Sequence, residues 1–251
     1  MRQYRSASKT QLSSATVMKT FREVAETHPL WNHEFLARCR AGLLTLQEVR
    51  VLAVQMYKLT QQFSRILASI LSCCTEESAQ LVILENLFDQ MGEGDPSRSY
   101  PELFRRFTRA LGIDDETLEN TPTEPKTQAL IETYLRLANR YGYVAALAAV
   151  CFASEGIVSS LYTQLQTGIA SAANFSQEAL IFFDVRIHQG ADRCAKLAAL
   201  VEARLGTLEE AMYANRAMLE ALDARVQFFN GVQRQAAEQK RSERLSLLIC
   251  A

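Results

Sequence analysis

Helix breakers are scarce in this chain of 251 residues, which has ten Gly and five Pro. Ala, Leu, Glu, Gln and Arg are common instead, a strong bias toward helix. Net charge is also small, at −1, so no global field draws the protein to nucleic acid or to an anionic membrane. There is no C-x-x-C pair among the six cysteines (Cys39, Cys73, Cys74, Cys151, Cys194 and Cys250) and no spacing that suggests a zinc site. The expectation is free thiols in a reducing cytoplasm. No apolar run reaches the roughly 18 residues expected of a membrane span. The opening MRQYRSASKTQLSSA has no apolar signal core. Neither an internal repeat nor a low-complexity linker divides the chain, so one domain is expected.

What is present is helical periodicity. It predicts helices near 15–27, 31–41, 45–73, 76–92, 99–111, 124–140, 141–169, 175–203 and 206–236. Thr45 opens the third with Glu48 three residues on, the pattern of a capping box. Thr75 is the expected cap of the fourth, ahead of Glu76 and Glu77. The loop MGEGDPSRSYPE, with two Gly and two Pro, must stop one helix and start another, and ENTPTEPKT does the same later. No strand alternation competes. The domain expectation is a flexible lead over 1–14, one helical bundle over 15–236, and a tail or helix extension over 237–251.

Three segments carry a resemblance: HPLWNHEFL (His28 to Leu36), ENLFDQMGEGDPSRSYPELFRR (Glu85 to Arg106) and FFDVRIHQGADRCAKL (Phe182 to Leu197). The last is preceded by ASEG at Ala153 to Gly156. In order and separation the chain resembles the haem-oxygenase-like dimetal oxidases, related to the PQQ-synthesis C protein and the chlamydial death-domain-associating protein. The resemblance implies an all-α bundle of about seven to nine helices with a site between them. In members that bind two irons, the middle segment supplies a Glu and then a His, and a later helix supplies a Glu. The last segment supplies His, Asp and His at i, i+4 and i+7, on one helix face.

Against that pattern, the first Glu position holds Gln90 and the His position holds Tyr100. The later Glu is Glu155, and the final three positions hold Arg186, Gly190 and Arg193. Arginine stays protonated and cannot ligate a metal at ordinary pH. A two-residue slip would bring His188 and Asp192 into the i, i+4 relation. At about 100° per residue, however, Arg186 shares a sector with Phe182, Phe183, Cys194, Leu197, Leu200 and Val201. His188 and Asp192 fall at roughly 200° and 240°, opposite that apolar stripe. The same phase argument turns Gln90 inward with Ile83, Asn86 and Leu87, and puts Glu155 with Ala148, Cys151, Phe152 and Tyr162.

The resulting expectation is an interhelical pocket that binds or transforms a small organic acid without the intact diiron site. Tyr100 and Glu155 are its candidate catalytic residues, and Gln90, Arg186 and Arg193 its candidate substrate ligands. Two arginines against one Glu leave positive charge that a bidentate carboxylate or phosphate satisfies. The alternative is a structural salt-bridge network in a non-catalytic homologue, acting as a binding module or as partner to a related oxidase. A further alternative is a non-haem iron oxidase with displaced ligands Glu155, His188 and Asp192. If the protein is an enzyme, it is an oxidoreductase of that family. A homodimer, or a heterodimer with a related oxidase, is the assembly expectation; nucleic acid and membrane are not expected partners. His28 and His33 read as packing or capping residues, Cys151 as a small core residue, and Tyr57, Phe63, Phe152 and Tyr162 as core or pocket wall.

Overall fold

Caps and apolar stripes set where this chain turns. The computed structural model describes residues 13–249, apart from the side chains of residues 189–193, 247 and 249. In chain order the α-helices are Ser14–Thr27 (α1), Glu34–Arg40 (α2), Leu46–Cys73 (α3), Glu77–Gln90 (α4), Tyr100–Ala110 (α5), Asp115–Asn120 (α6), Pro125–Tyr141 (α7), Tyr143–Val150 (α8), Gly156–Ala172 (α9), Gln177–Glu202 (α10) and Leu208–Ile249 (α11). Short 3-10 turns cover Pro29–Asn32 and Pro96–Arg98, and a π turn, Cys151–Glu155, joins α8 to α9 without a break. Among the described residues there is no strand, so the all-α expectation holds.

Local chemistry explains the boundaries. The Thr45 side chain accepts from the Glu48 amide, and the Glu48 carboxylate accepts from the Thr45 amide, which completes the capping box of α3. Arg38 lies against the same carboxylate. Thr75 does not cap α4. Glu76 occupies the cap position and makes no capping bond, because its carboxylate is taken by Arg204 and Tyr143. Gly142, at φ +86°, ends α7 and starts α8, a backbone conformation that favours glycine. The short α6, capped by Asp114, lies in a stretch where periodicity shows no separate element.

α8 sits at the centre: Ala145, Ala146, Leu147, Ala148, Ala149 and Val150 are all buried. Its small side chains let α7, α10 and α11 pack closely around it. With α9 it forms a helix over Tyr143–Ala172 whose most apolar 18-residue window has a mean hydropathy of 1.8, long and apolar enough to cross a membrane. Counting uninterrupted apolar residues misses this stretch. Burial of 78% of its most apolar window inside the bundle identifies it as the core helix. α10 packs along α9 and α5, and α3 along α7, α5 and α4. Gly168 lets α2 approach α9, since a Cβ there would stand 2.8 Å from the Cys39 Cα.

Candidate functional site

The π turn places the central acid. One extra residue in the turn moves the Gly156 amide onto the Cys151 carbonyl. The Tyr134 hydroxyl donates to the Ala153 carbonyl at 3.0 Å, within the same turn. Burial pushes the Tyr134 phenol up from its ordinary pKa, so it remains a donor. Glu155, last residue of the turn, points toward α10. There Arg186 Nη2 donates to its Oε1 at 3.0 Å, with the two side chains 5% and 0% exposed. Burial alone would lower the Arg186 pKa, but Glu155 and then the Tyr162 and Tyr100 hydroxyl groups outweigh it. The net direction is upward, and the guanidinium is charged.

Around that pair the fold gathers residues from five helices. Gln90 is the last residue of α4 and is buried. Tyr100 is the first residue of α5, behind the Ser99 cap, and the Arg186 guanidinium lies 5.0 Å from its ring centroid. Phe182 meets Tyr100 edge-on at 6.1 Å. Together with Ser154, Tyr162 and Arg225 these residues line a cavity of about 30 Å³. That is room for about two waters, or for one carboxylate group.

The structure therefore brings Gln90, Tyr100 and Arg186 to one cavity, with Glu155 bonded to Arg186 behind it. Positions 190, 192 and 193 (Gly190, Asp192 and Arg193) lie on α10, but their side chains are outside the described residues. His188 is exposed on α10, away from Glu155. His28 and His33 act as caps: their Nδ1 atoms accept from the Leu30 and Phe35 amides. Cys151 faces Cys194 rather than the cavity, with the two Sγ atoms 3.8 Å apart. Phe63 and Tyr162 line the cavity. Tyr57 instead donates to Glu119, and Phe152 packs edge-on against Phe21.

Sequence reasoning missed Arg225. It lies on α11, is 6% exposed, and has no carboxylate paired with it among the described residues. A signal was present. Met218, Ala221, Leu222, Phe228, Phe229 and Val232 form a buried stripe, and Arg225 is the one charged residue within it. Three buried N–H groups on cavity-lining residues lack a partner: Gln90 Nε2, Arg186 Nη1 and Arg225 Nε. Among the described residues no group of three or more His, Cys, Asp or Glu is placed to hold a metal ion.

Comparison with known proteins agrees with this architecture. A sequence profile described as iron-containing redox enzyme matches residues 50–228. The chain is 26% identical over 171 residues to the 4-aminobenzoate synthase of Chlamydia pneumoniae, across 68% of this chain and 73% of that protein. To the 4-aminobenzoate synthase of Nitrosomonas europaea it is 25% identical over 233 residues, across 88% and 92%. Among solved structures, a domain with a haem-oxygenase-like fold from Shewanella denitrificans superposes with a TM-score of 0.77 at 13% identity, over 91% of this chain and 95% of that one. A TenA homologue from Pseudomonas syringae superposes with a TM-score of 0.72 at 15% identity, over 93% and 99%. These structures establish the fold as a haem-oxygenase-like bundle. With the profile matching well over half its length, the chain belongs to the family of iron-containing redox enzymes.

Proposed function

We propose that this member of the family binds a small organic acid between its helices, and does so without a dimetal centre. One observation carries the reading. Two buried guanidiniums, Arg186 and Arg225, line a cavity behind which, among the described residues, one carboxylate, Glu155, is paired. The surplus is one positive charge, and the unpartnered donors Gln90 Nε2, Arg186 Nη1 and Arg225 Nε belong to the same wall. Buried donors of this kind are costly to leave unsatisfied, and a carboxylate accepts from all three. A cation entering the same space would meet like charge.

The donor set does not fit two irons. Glu155 already spends one oxygen on Arg186, the position expected to hold the first Glu is Gln90, and an amide is a weak ligand for hard cations beside two guanidiniums. In this reading Glu155 is a positioning residue that holds Arg186, and Tyr100 packs its ring on the guanidinium face. The cavity fits a carboxylate head group. A ring attached to it, as in the 4-aminobenzoate that names the relatives, requires the aromatic wall of Phe63, Tyr162 and Phe182 to move.

Calorimetry tests the proposal with acetate and 4-aminobenzoate, each against its neutral amide. Binding of an acid but not of its amide, lost in Arg225→Met, is the expected result. Equal binding of acid and amide, or no binding of either acid, overturns the anion site. The metal-free part is tested separately by anaerobic loading with Fe(II). Retention below about 0.2 metal per chain is expected, and near-stoichiometric iron overturns it.

A further inference from the structure

The two thiols beside this site do not take part in it. Cys151, first residue of the π turn, is fully buried. Cys194 stands two helical turns beyond Arg186 on α10 and is half-buried. Their Sγ atoms are 3.8 Å apart, and each lies 3.7 Å from the other residue's carbonyl oxygen. No other pair of cysteine sulfurs from separate helices is in contact among the described residues. Disulfide formation has to close 3.8 Å to about 2.05 Å. Gly156 keeps the space clear, because a Cβ there would meet the Cys151 carbonyl oxygen at 2.6 Å and the Cys194 Sγ at 3.7 Å.

Access comes from one side only. A second cavity, of about 460 Å³, is lined by Arg22, Trp31, Phe152, Glu155, Arg186 and Cys194, but not by Cys151. A small polar oxidant in that cavity reaches one sulfur and not its partner. Such an asymmetric pair has the form of an attacking thiol and a resolving thiol.

We propose that Cys151 and Cys194 form a redox-active dithiol, oxidised by hydrogen peroxide or a small organic peroxide entering the second cavity. The Cys194 sulfur, as thiolate, attacks one peroxide oxygen. The S–O bond forms, the O–O bond breaks, and the leaving oxygen takes up the proton shed by the thiol and departs as water or alcohol. The Cys151 thiol then attacks the sulfenic sulfur of Cys194. The S–S bond forms, the S–O bond breaks, and hydroxide leaves with the Cys151 proton as water. Two thiols lose two electrons, and one peroxide gains them. A dithiol reductant reverses the change. The cross-link ties the π turn that carries Glu155 to the helix that carries Arg186, so the same ion pair is clamped from both sides.

The test uses the reduced full-length chain and equimolar hydrogen peroxide. Titration under denaturing conditions should fall from six thiols to four, since the chain has six cysteines. Tryptic mass spectrometry should find residues 141–186 joined to residues 194–196, and dithiothreitol should separate them. Cys151→Ala should instead stop at a sulfenic acid on Cys194, trapped by dimedone. If that variant does not fold, the wild-type peptide map decides alone. A Cys73–Cys74 cross-link, oxidation of Cys194 to sulfinic acid with Cys151 still a thiol, or no thiol loss overturns the proposal. None of these outcomes depends on whether an organic acid binds the inner cavity.

Discussion

Replacing Glu155 with Ala tests the central ion pair most directly. In the folded protein its carboxylate is fully buried and accepts from Arg186 Nη2 at 3.0 Å, while Arg186 is 5% exposed. Removing the acid leaves a buried guanidinium with the Tyr162 hydroxyl and the Tyr100 ring face, 5.0 Å away, as its remaining attractions. Breaking one side of a buried pair costs about 3–5 kcal/mol, and the lower end applies here because the ring contact persists. For a chain of this size about 3 kcal/mol corresponds to a fall in Tm of about 6–12 °C. Urea denaturation at constant m-value supplies the free energy, and thermal unfolding checks it. Two controls separate charge from packing. The double variant Glu155→Ala with Arg186→Met removes both charges and should recover most of the loss, to within about 1 kcal/mol of wild type. Saturating formate should partly restore the single variant by replacing the missing carboxylate, by up to about 2.7 kcal/mol at a hundredfold excess over Kd. A single-variant loss below about 1 kcal/mol, or a double variant as unstable as the single, refutes the buried-pair reasoning.

Arg225→Met should leave stability unchanged or raise it by about 1 kcal/mol, because it removes a buried charge that has no paired acid; urea unfolding showing a loss above about 1 kcal/mol would assign Arg225 a structural role instead. Gly231→Ala would place a Cβ 2.2 Å from Glu124 Oε2, which accepts from the Lys126 and Thr127 amides at the start of α7. The displaced cap should cost about 1–2 kcal/mol, and an unchanged Tm would contradict that. Glu48 tests pH dependence. Burial raises its pKa, but Arg38 and the Thr45 amide and hydroxyl outweigh burial, so the net direction is down. A carboxylate depressed on folding contributes stability above its unfolded pKa of about 4.3 and loses it as pH falls through the folded value. Glu48→Gln should therefore be less stable than wild type at pH 7, with the difference closing below pH of about 4; a difference independent of pH between 3 and 7 would rule this out.

Legibility in the sequence followed the range of the interactions involved. Thr45 and Glu48 are three residues apart, so the capping box could be read directly. The inward phase of Arg186 was legible because Phe182, Phe183, Leu197, Leu200 and Val201 sample the same face many times over. Thr75 failed because Glu76 answers to Arg204, a residue 128 positions away. The π turn left no trace in periodicity: residues 145–155 are all buried, so no polar face marks the shift of about 100° that one inserted residue causes. Arg225 was overlooked because the resembling segments end before α11, although its place in that helix's apolar stripe was readable. The contact between Cys151 and Cys194 depends on how α10 crosses the core helix, which no local pattern encodes.

Under the proposed reading, the presence of Glu155 follows from the same electrostatics that removed the metal. A buried arginine without a counter-ion is among the most expensive groups a core can hold. Arg186 at an inward position therefore demands an acid within reach, and Glu155 is that acid, at 3.0 Å. The pair is neutral on its own and would leave the cavity indifferent to charge. Arg225 breaks that neutrality from a different helix, and Gln90 adds a donor where a carboxylate would have cancelled the surplus. The preference for an anion thus rests on the arginine without a paired acid, not on the pair. Arg186 and Glu155 set the geometry, while Arg225 sets the charge, so exchanging Arg225 alone should change what the cavity binds without changing how it is built.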